Sequence, residues 1–146
     1  MRLFLKDAHF GYLQKSVWIS PDPVSQITRK LVACAKDVES LITLEARPGA
    51  GETDAAIVAG AWDFQRINRL YQNCRAILRQ LPAQKAEGGK AAHELRRWAQ
   101  EERNAWQDAL YADPLLPAKL LPADYLGQEA WQERIQTLAQ AGHLID

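Results

Sequence analysis

The sequence is poor in the features that mark disulfide-rich, membrane-spanning or phosphate-binding proteins. It has only two cysteines, Cys34 and Cys74, and both fall on apolar faces of predicted helices. We expect buried free thiols and a cytoplasmic location, because disulfides are rare in reducing compartments. Basic and acidic side chains number 18 each, so the overall basic excess that favours nucleic-acid binding is missing. No apolar run is long enough for a signal peptide or a transmembrane helix.

Patterns that indicate catalysis or a resident metal are also missing. The three histidines, His9, His93 and His143, have no cysteine, histidine or acidic partner at the spacing of metal ligands. There is no Gly-x-Ser-x-Gly nucleophile motif. Gly49 and Gly51 lack the further glycine and the lysine-hydroxyl pair that complete a phosphate-binding loop. We therefore expect a protein that is not an enzyme and has no catalytic residue, metal site or cofactor.

The residues that are present predict a mainly helical chain, with a few strands in its first third. Tyr12–Ser20 is rich in aromatic and β-branched residues and predicts a strand, bent near Gln14 into a hairpin. Leu41–Leu44 is a short apolar run that is typical of a buried strand. Ala55–Ala59 fits either a short alanine-rich helix or a strand, and periodicity leaves that choice open.

Apolar residues at helical spacing predict four further helices after the short one that residues 1–8 would end. Asp22 can cap the first of the four, with Pro23 at its first helical position. In chain order the apolar positions are Val24, Ile27, Leu31 and Cys34; Ile67, Leu70, Tyr71, Cys74, Ile77, Leu78 and Leu81; Leu95, Trp98, Ala99, Trp106, Ala109 and Leu110; and Trp131, Ile135 and Leu138.

Residues 113–127, called the strap below, join the last two of these helices and contain three prolines and five leucines. Proline lacks an N–H donor and restricts the residue before it, so a continuous helix is excluded. An apolar segment stiffened by proline loses less conformational entropy on docking than a flexible one. We therefore expect the strap to be a structural connector lying across a hydrophobic surface.

The strap resembles the corresponding segment of the PaaX-type transcriptional repressors, which control phenylacetic acid catabolism in bacteria. Members of that family read aspartate-proline, leucine-proline and leucine-leucine-proline, followed by an aromatic residue and a glycine. Tyr125 stands where a tryptophan is more usual. The segments Phe10–Pro21 and Ala61–Phe64, with Tyr71, resemble the same family. The structural positions that carry the resemblance are Gly11, Trp18, Trp62, Asp63, Tyr71, Asp113, Pro114, Leu116, Pro117, Leu120, Leu121, Pro122, Tyr125 and Gly127.

The resemblance implies an α+β protein with two parts. Residues 1–47 would form a partial ferredoxin-like module, and residues 48–146 a mainly helical C-terminal domain that contains the strap. In the repressors the module follows an N-terminal winged helix, and we expect this chain to lack both the winged helix and the module's first strand. An uncovered sheet edge invites pairing with a second copy, so we expect a homodimer. We do not expect this chain alone to bind an operator specifically.

The resemblance also implies a regulatory function, the sensing of an acyl-coenzyme A effector, generally phenylacetyl-coenzyme A. Arginines would bind its phosphates in fork geometry, and tryptophans would line a cleft for the aromatic acyl group. The candidate effector-binding residues are Trp62, Arg66, Arg69, Trp98, Arg103 and Trp106. A solvated helix face is the usual explanation of such arginines, and a helical core is the usual explanation of each tryptophan.

Two other functions stay open. The ferredoxin-like module is similar to a small metal-dependent endonuclease of CRISPR adaptation systems, whose key aspartate ends a first strand that we expect this chain to lack. Asp7 belongs to the helix that follows and does not replace that aspartate. The other alternative is a protein-interaction domain with no small ligand, which binding of phenylacetyl-coenzyme A would exclude.

Overall fold

The computed structural model describes residues 2–23, 25–29, 42–83 and 88–145, in which helices predominate. Residues 25–29 are helical, and the remaining elements have the following bounds. They are α1 (Arg2–Asp7), β1 (Gly11–Gln14), β2 (Val17–Ile19), α2 (Asp54–Ala61), α3 (Phe64–Leu78), α4 (Gly89–Ala112), a short 3-10 helix (Ala118–Leu120) and α5 (Gly127–Gly142). This arrangement confirms the predicted α+β class with a mainly helical C-terminal part. None of the helices in the described ranges combines the length and hydrophobicity needed to cross a bilayer.

The two strands form the predicted hairpin. Strands β1 and β2 are antiparallel, and the paired residues are Gly11 and Ile19, Tyr12 and Trp18, and Gln14 and Val17. The register shifts between Tyr12 and Gln14, and Lys15 in the turn has a φ of 48°. The rings of Tyr12 and Trp18 meet edge to face with their centroids 5.2 Å apart. Such an aromatic cross-strand pair stabilises a hairpin that has few backbone hydrogen bonds of its own.

The apolar run at residues 41–44 does not form the predicted buried strand. Ile42 and Leu44 are 81% and 80% exposed, and residues 42–49 have no regular secondary structure. Leu41 lies outside the described residues. A strand needs a neighbour for its backbone N–H and C=O groups. The sheet formed by the described residues consists of β1 and β2 alone, so the prediction is wrong for residues 42–44.

The helix predicted to start at Pro23 is described over residues 25–29. The Ile27 amide donates to the carbonyl oxygen of Pro23 at 3.2 Å, so Pro23 takes part in the first turn, and its predicted place at the first helical position stays a prediction. Ile27 is buried, in agreement with its place on the predicted apolar stripe. Three other members of that stripe, Val24, Leu31 and Cys34, lie outside the described residues.

The open choice at residues 55–59 is resolved in favour of a helix. Helix α2 begins after Thr53, whose backbone is extended and whose Oγ1 accepts a hydrogen bond from the Ala56 amide at 3.2 Å. A threonine in this position satisfies one of the amides that a helix leaves free at its start. Alanine has the highest helix propensity of all residues, which explains why the segment does not become a strand.

The chain divides into two compact units. The first consists of Met1–Asp63 with Pro114–Pro122, and the second of Phe64–Asp113 with Ala123–Asp146. The middle of the strap therefore belongs to the first unit, while the residues at both of its ends belong to the second. The two units are defined only by how compactly the chain packs, so they do not test the domain boundary predicted at residue 47. That boundary stays a prediction.

The second unit is built from α3, α4 and α5, with α3 in contact with both of the others. Helix α3 has the predicted periodicity and buries Ile67, Tyr71, Cys74 and Leu78. Part of the core consists of Leu78, Leu95, Trp98 and Ala141, with Ile77, Leu81, Ala99 and Leu144 packed around it. Most positions of the predicted stripes of α3 and α4 thus become the core of this unit, as apolar faces of amphipathic helices do. The prediction is wrong for Leu110, which is 37% exposed near the end of α4.

Helix α5 lies where the sequence predicts a helix, but its large apolar residues face outwards. Trp131, Ile135 and Leu138 are 45%, 46% and 37% exposed. The buried residues of α5 are instead Gly127, Ala130 and Ala141. Small residues therefore make the close contacts of this helix, and its apolar stripe is left on the surface.

The first unit has a small core around Leu5 and Ile27, with Phe4, Phe10 and Trp18 packed against it. Gly11 and Trp62, two of the positions that carry the family resemblance, also meet in this unit. A Cβ atom built on Gly11 would lie 2.6 Å from Cε2 of Trp62 and 2.8 Å from Cβ of Ala61. The indole N–H of Trp62 donates to the carbonyl oxygen of His9 at 3.4 Å. Gly11 is therefore required because the tryptophan ring covers its α-carbon.

Replacing Gly11 with alanine should destabilise the first unit by about 1–3 kcal/mol, because the added methyl group overlaps the Trp62 ring. Gly60→Ala is the matched control, since a Cβ on Gly60 in α2 meets no atom within 4 Å. That control should be neutral or up to about 1 kcal/mol more stable, because alanine favours a helix. Urea unfolding of both variants measures the difference. Equal stabilities would contradict the packing of Trp62 on Gly11.

Candidate functional site

Helix α4 ends at Asp113, the first residue of the strap. Its backbone is extended, with φ −78° and ψ 125°, and its amide donates to the carbonyl oxygen of Ala109. Pro114 follows and disfavours the helical conformation for the residue before it, which explains why α4 ends here. The side chain of Asp113 is fully buried, with no exposed surface. A carboxyl group in this position requires hydrogen-bond donors.

Two tyrosine hydroxyls supply such donors. The hydroxyl of Tyr71 donates to Oδ2 of Asp113 at 2.5 Å, and that of Tyr125 donates to the same oxygen at 2.6 Å. Tyr71 lies in the middle of α3, and Tyr125 lies near the end of the strap. Three positions that carry the family resemblance, one in α3 and one near each end of the strap, thus meet at one atom. These residues are called the Asp113 cluster below.

The rings of the cluster are packed edge to face. The centroids of Tyr71 and Tyr125 are 5.9 Å apart with an interplanar angle of 89°, and Phe64 meets Tyr125 at 6.0 Å and 83°. Tyr71 also contacts Trp106 of α4 at 5.7 Å. Aromatic pairs in this geometry contribute about 0.5–1.5 kcal/mol each beyond the burial of their surface. The cluster therefore combines a polar centre with an apolar wall.

Gly127, the first residue of α5, provides the space for Tyr125. A Cβ atom built on Gly127 would overlap the hydroxyl oxygen and the ring of Tyr125. The hydroxyl of this ring donates to Asp113, so a side chain at position 127 would displace a ring that is held by a hydrogen bond. The aromatic residue and the glycine of the family pattern are thus explained together, because the Tyr125 ring lies over Gly127, which has no side chain.

The environment of the cluster keeps both hydroxyls protonated. Burial is the largest cause that raises the pKa of Tyr71 well above its ordinary value, and the hydrogen bond to Asp113 raises it further. Burial, followed by its own hydrogen bond to Asp113, raises the pKa of Tyr125 from 10.0 to about 12. A neutral tyrosine is a hydrogen-bond donor, and a tyrosinate beside a carboxylate would repel it. Both tyrosines therefore act as structural donors.

Asn68, which sequence reasoning did not single out, ties the end of the strap to α3. Its Nδ2 donates to the carbonyl oxygen of Asp124 at 2.9 Å, and its Oδ1 accepts from the Leu126 amide at 3.0 Å. Asn68 could have been identified in the sequence as a polar residue next to Ile67, on the buried face of α3. A buried amide needs partners on both of its atoms, and here the strap backbone supplies them.

Two ion-pair groups join α5 to the other helices of the second unit. Arg75 of α3 donates to Glu133 through Nε at 2.9 Å and Nη2 at 2.5 Å, and to Glu129 through Nη1 at 3.2 Å. These hydrogen bonds lower the pKa of Glu133 and raise that of Arg75. Arg134 of α5 donates to the buried Glu102 of α4, with 2.5 Å between Nε and Oε1.

Arg134 also lies over two tryptophan rings. Its guanidinium carbon is 4.8 Å from the ring centroid of Trp106 and 6.0 Å from that of Trp131. The two rings are 5.6 Å apart and inclined by 34°. This cation–π arrangement holds the inner edge of Trp131 against the unit although much of the ring is exposed.

The six predicted effector-binding residues lie in different environments. Trp98 and Trp106 are buried, and the indole N–H of Trp98 donates to the carbonyl oxygen of Ile77 at 2.9 Å. Arg66, Arg69 and Arg103 are exposed. Trp62 is half-buried and belongs to the first unit. The two buried tryptophans are thus part of the core, and the effector-binding function of the set stays a prediction.

One groove of the second unit has a volume of about 510 Å³ and lies between the end of α3 and α5. Leu78, Leu81, Pro82, Thr137, Gln140 and Leu144 are among its lining residues. None of the predicted effector-binding residues lines it. Within the described ranges, no three histidine, cysteine, aspartate or glutamate side chains come together as a possible metal site.

Two family models match the chain in succession. The model described as the PaaX protein central Cas2-like domain matches residues 1–58, and the PaaX-like protein C-terminal domain matches residues 62–143. The chain belongs to the PaaX-like family. No curated protein and no solved structure matched it.

The family assignment confirms the resemblance inferred from the strap and the two shorter motifs. The chain is therefore a PaaX-like regulator domain. The structure also supplies a physical reason for several PaaX-like sequence positions. Asp113, Tyr71 and Tyr125 form one hydrogen-bonded centre, while Gly11 and Gly127 each accommodate an aromatic ring.

Replacing Tyr71 with phenylalanine should destabilise the protein by about 1.5–3 kcal/mol, because a buried carboxyl group loses one of its donors. Tyr12→Phe is the control, since Tyr12 is 44% exposed and should tolerate the change. Urea unfolding followed by tryptophan fluorescence measures both. In the double variant Tyr71→Phe/Asp113→Asn, the cost should be smaller than the sum of the single costs, because the residues interact directly. Strict additivity would contradict the shared hydrogen bond.

The contribution of Tyr125 should also depend on pH. Folding raises its pKa from 10.0 to about 12, so the folded state holds the proton more tightly than the unfolded state. The stabilisation is complete below pH 10 and is lost as the pH rises towards about 12. The stability difference between the wild-type protein and Tyr125→Phe should therefore decrease over this interval in urea titrations. A difference that stays constant would show that the hydroxyl proton is not linked to folding.

Proposed function

We propose that the chain is the effector-sensing and dimerising part of a PaaX-like transcriptional repressor, and that it responds to an acyl-coenzyme A such as phenylacetyl-coenzyme A. The observation that carries the proposal is the succession of the two PaaX domains over residues 1–58 and 62–143. A function in the regulation of phenylacetic acid catabolism follows from the same family resemblance. The protein would act in the cytoplasm, as a homodimer and without catalysis.

The Asp113 cluster gives this proposal a structural basis. The hydrogen bond between Tyr125 and Asp113 joins residues on either side of the strap and closes the intervening segment into a loop. Leu116, within this loop, is only 6% exposed, whereas Leu115 is 59% exposed and has a positive φ of 51°. The strap is therefore anchored at its two ends and at one of its leucines. An element held in a defined conformation can transmit a binding event, provided that the ligand prefers one of two arrangements.

The phosphates of coenzyme A require cationic groups that remain accessible. Arg66 and Arg69 lie about one turn apart on the exposed side of α3, and Arg103 is exposed on α4. Guanidinium groups bind phosphates in a bidentate manner, which lysine cannot reproduce. In our proposal these arginines bind the phosphates, while the buried Trp98 and Trp106 support the helices that carry them.

The central Cas2-like domain is the observation that favours a second candidate, a metal-dependent nuclease. Cleavage of a phosphodiester bond needs carboxylates that converge on a magnesium ion. The repressor proposal predicts no magnesium-dependent cleavage of DNA or RNA by the purified chain. A protein-interaction domain without a small ligand is the third candidate, and it differs from the first by giving no response to acyl-coenzyme A.

Phenylacetyl-coenzyme A should raise the thermal stability of the protein. A ligand present at about 100 times its dissociation constant stabilises the folded state by about 2.7 kcal/mol. Thermal unfolding with phenylacetyl-coenzyme A, coenzyme A and phenylacetate separates the contributions of the acyl and phosphate parts. The double variant Arg66→Ala/Arg69→Ala should bind phenylacetyl-coenzyme A with an apparent affinity at least about tenfold lower, as expected for the loss of charged hydrogen bonds. Its thermal shift at the same ligand concentration should therefore be smaller.

Arg47→Ala is the matched control for the arginine variant, since Arg47 is exposed in the segment before α2 and lies outside the proposed site. It should bind as the wild-type protein does. No shift with any of the three compounds would contradict effector sensing and leave the interaction domain as the better interpretation. A shift that Arg66→Ala/Arg69→Ala leaves unchanged would place the effector elsewhere.

A further inference from the structure

The exposed side of α3 carries positive charge and no negative charge. The helix has 15 residues, and none of them is acidic. Its exposed residues are two arginines, three side-chain amides and one alanine, which a period of 3.6 residues per turn places within about a third of the helix circumference. They are called the α3 face below and are, in chain order, Gln65, Arg66, Arg69, Gln72, Asn73 and Ala76. All of them lie in the second unit.

Local ion pairs explain the exposed arginines of α4 but not those of α3. Helix α4 exposes carboxylates as well as arginines, and its Arg97 pairs with Glu101 one turn later, with 3.7 Å between Nε and Oε1. Helix α3 has no carboxylate with which its arginines could form such pairs. Its Arg75 pairs with two glutamates of α5, whereas Arg69 forms no ion pair with any described residue. The positive charge of the α3 face is therefore not balanced within its own helix.

The positions of the two exposed arginines are also unfavourable for the helix itself. Arg66 is the third residue of α3, in the turn where free amides carry a partial positive charge and acidic side chains are favoured. Arg66 and Arg69 are three residues apart, so their Cβ atoms are about 5–6 Å from each other and their like charges repel. Residues that are locally unfavourable in this way typically mark a functional surface. A bound polyanion would remove both penalties.

The composition of the α3 face fits the backbone of duplex DNA. Arginine, glutamine and asparagine are among the side chains that bind phosphate oxygens and sugars in DNA. The face contains no aromatic residue, although stacking on aromatic rings is the usual means of binding single strands. It also contains no large apolar residue, although the centre of a protein–protein interface is typically rich in them. Charge and hydrogen-bonding groups therefore favour a duplex over a single strand or a protein partner.

We propose that the α3 face is a contact surface for the sugar-phosphate backbone of duplex DNA. Arg66 and Arg69 neutralise phosphates, and the amides of Gln65, Gln72 and Asn73 add hydrogen bonds that fix the orientation. Phosphates carry no sequence information, so this contact is non-specific and would supplement base contacts made by other parts of a repressor. The inference goes beyond the proposed function, because it assigns a DNA contact to the PaaX-like C-terminal domain, and it does not depend on the effector.

Fluorescence anisotropy of a labelled duplex of arbitrary sequence and about two helical turns tests the contact, with the full chain and no effector. The dissociation constant should lie in the range of non-specific binding, about 10⁻⁴ to 10⁻⁶ M, and rise with salt concentration. Each neutralised phosphate contributes about 0.9 to the slope of log K against log salt, so Arg66→Ala/Arg69→Ala should lower the slope by about 1.8. Its affinity at about 50 mM salt should fall at least about tenfold.

Arg96→Ala/Arg97→Ala is the matched control, since both arginines are exposed on α4 and lie outside the α3 face. This variant loses the same charge and should keep the wild-type slope. Circular dichroism establishes that both double variants are folded. A wild-type protein that does not bind the duplex at low salt would overturn the proposal. Equal effects of the α3 and α4 variants would also overturn it, because net charge alone would then account for binding.

The variant Arg66→Lys/Arg69→Lys separates this contact from the proposed effector site, which uses the same two arginines. Lysine neutralises a phosphate as a point charge, so the variant should keep the salt slope of the wild-type protein. It lacks the fork geometry of arginine, so its thermal shift with phenylacetyl-coenzyme A should decrease. Loss of the salt slope in this variant would contradict phosphate neutralisation and overturn the proposal.

The two sets of measurements on the wild-type protein fail independently. A thermal shift with phenylacetyl-coenzyme A but no binding of the duplex would contradict the DNA contact and leave effector sensing intact. Binding of the duplex without any thermal shift would support the DNA contact and contradict effector sensing. Tighter binding of a single strand than of the duplex would contradict the assignment to duplex DNA, since the α3 face offers no ring on which bases could stack.

Discussion

The shared acceptor at Asp113 is the interaction on which the second unit depends. Burying a carboxyl group costs free energy. A buried carboxylate without hydrogen-bond donors would destabilise the protein by roughly several kcal/mol. The two donors, Tyr71 and Tyr125, come from α3 and from the segment before α5, while the acceptor ends α4. One oxygen atom therefore fixes the place at which three helices meet. The surrounding aromatic rings exclude water from this atom, which strengthens both hydrogen bonds.

The same interaction determines the path of the strap. Asp113 and Tyr125 are twelve residues apart in sequence, and their hydrogen bond sets the separation of the strap's two ends. Asn68 adds two hydrogen bonds to the backbone at the far end, and Gly127 leaves the space that the Tyr125 ring requires. Prolines limit the conformations available between these points. In this PaaX-like chain the strap is thus a defined loop with fixed ends.

Helix α5 shows how tertiary structure can reverse the usual orientation of an amphipathic helix. Its charges are directed towards partners on α3 and α4, and its large apolar residues face solvent. The buried Glu102 illustrates the physical reason, since a buried charge has to be paired, and Arg134 on α5 supplies the partner. Small residues, Ala130 and Ala141, are buried instead, and the apolar side chains around Ile135 stay exposed.

The sequence by itself determined the helical stripes of α3 and α4, the hairpin at Gly11–Ile19, the end of α4 at a proline and the family to which the chain belongs, because each of these depends on neighbouring residues or on a local motif. It did not determine that residues 42–44 would be exposed, since a strand depends on a partner strand that is distant in the sequence. Only the tertiary structure decided that Tyr71, Asp113 and Tyr125 meet at one oxygen, that Asn68 holds the strap and that α5 turns its apolar face outwards. Those features depend on which donor reaches which acceptor across helices, and hydrophobic periodicity carries no information about such pairings.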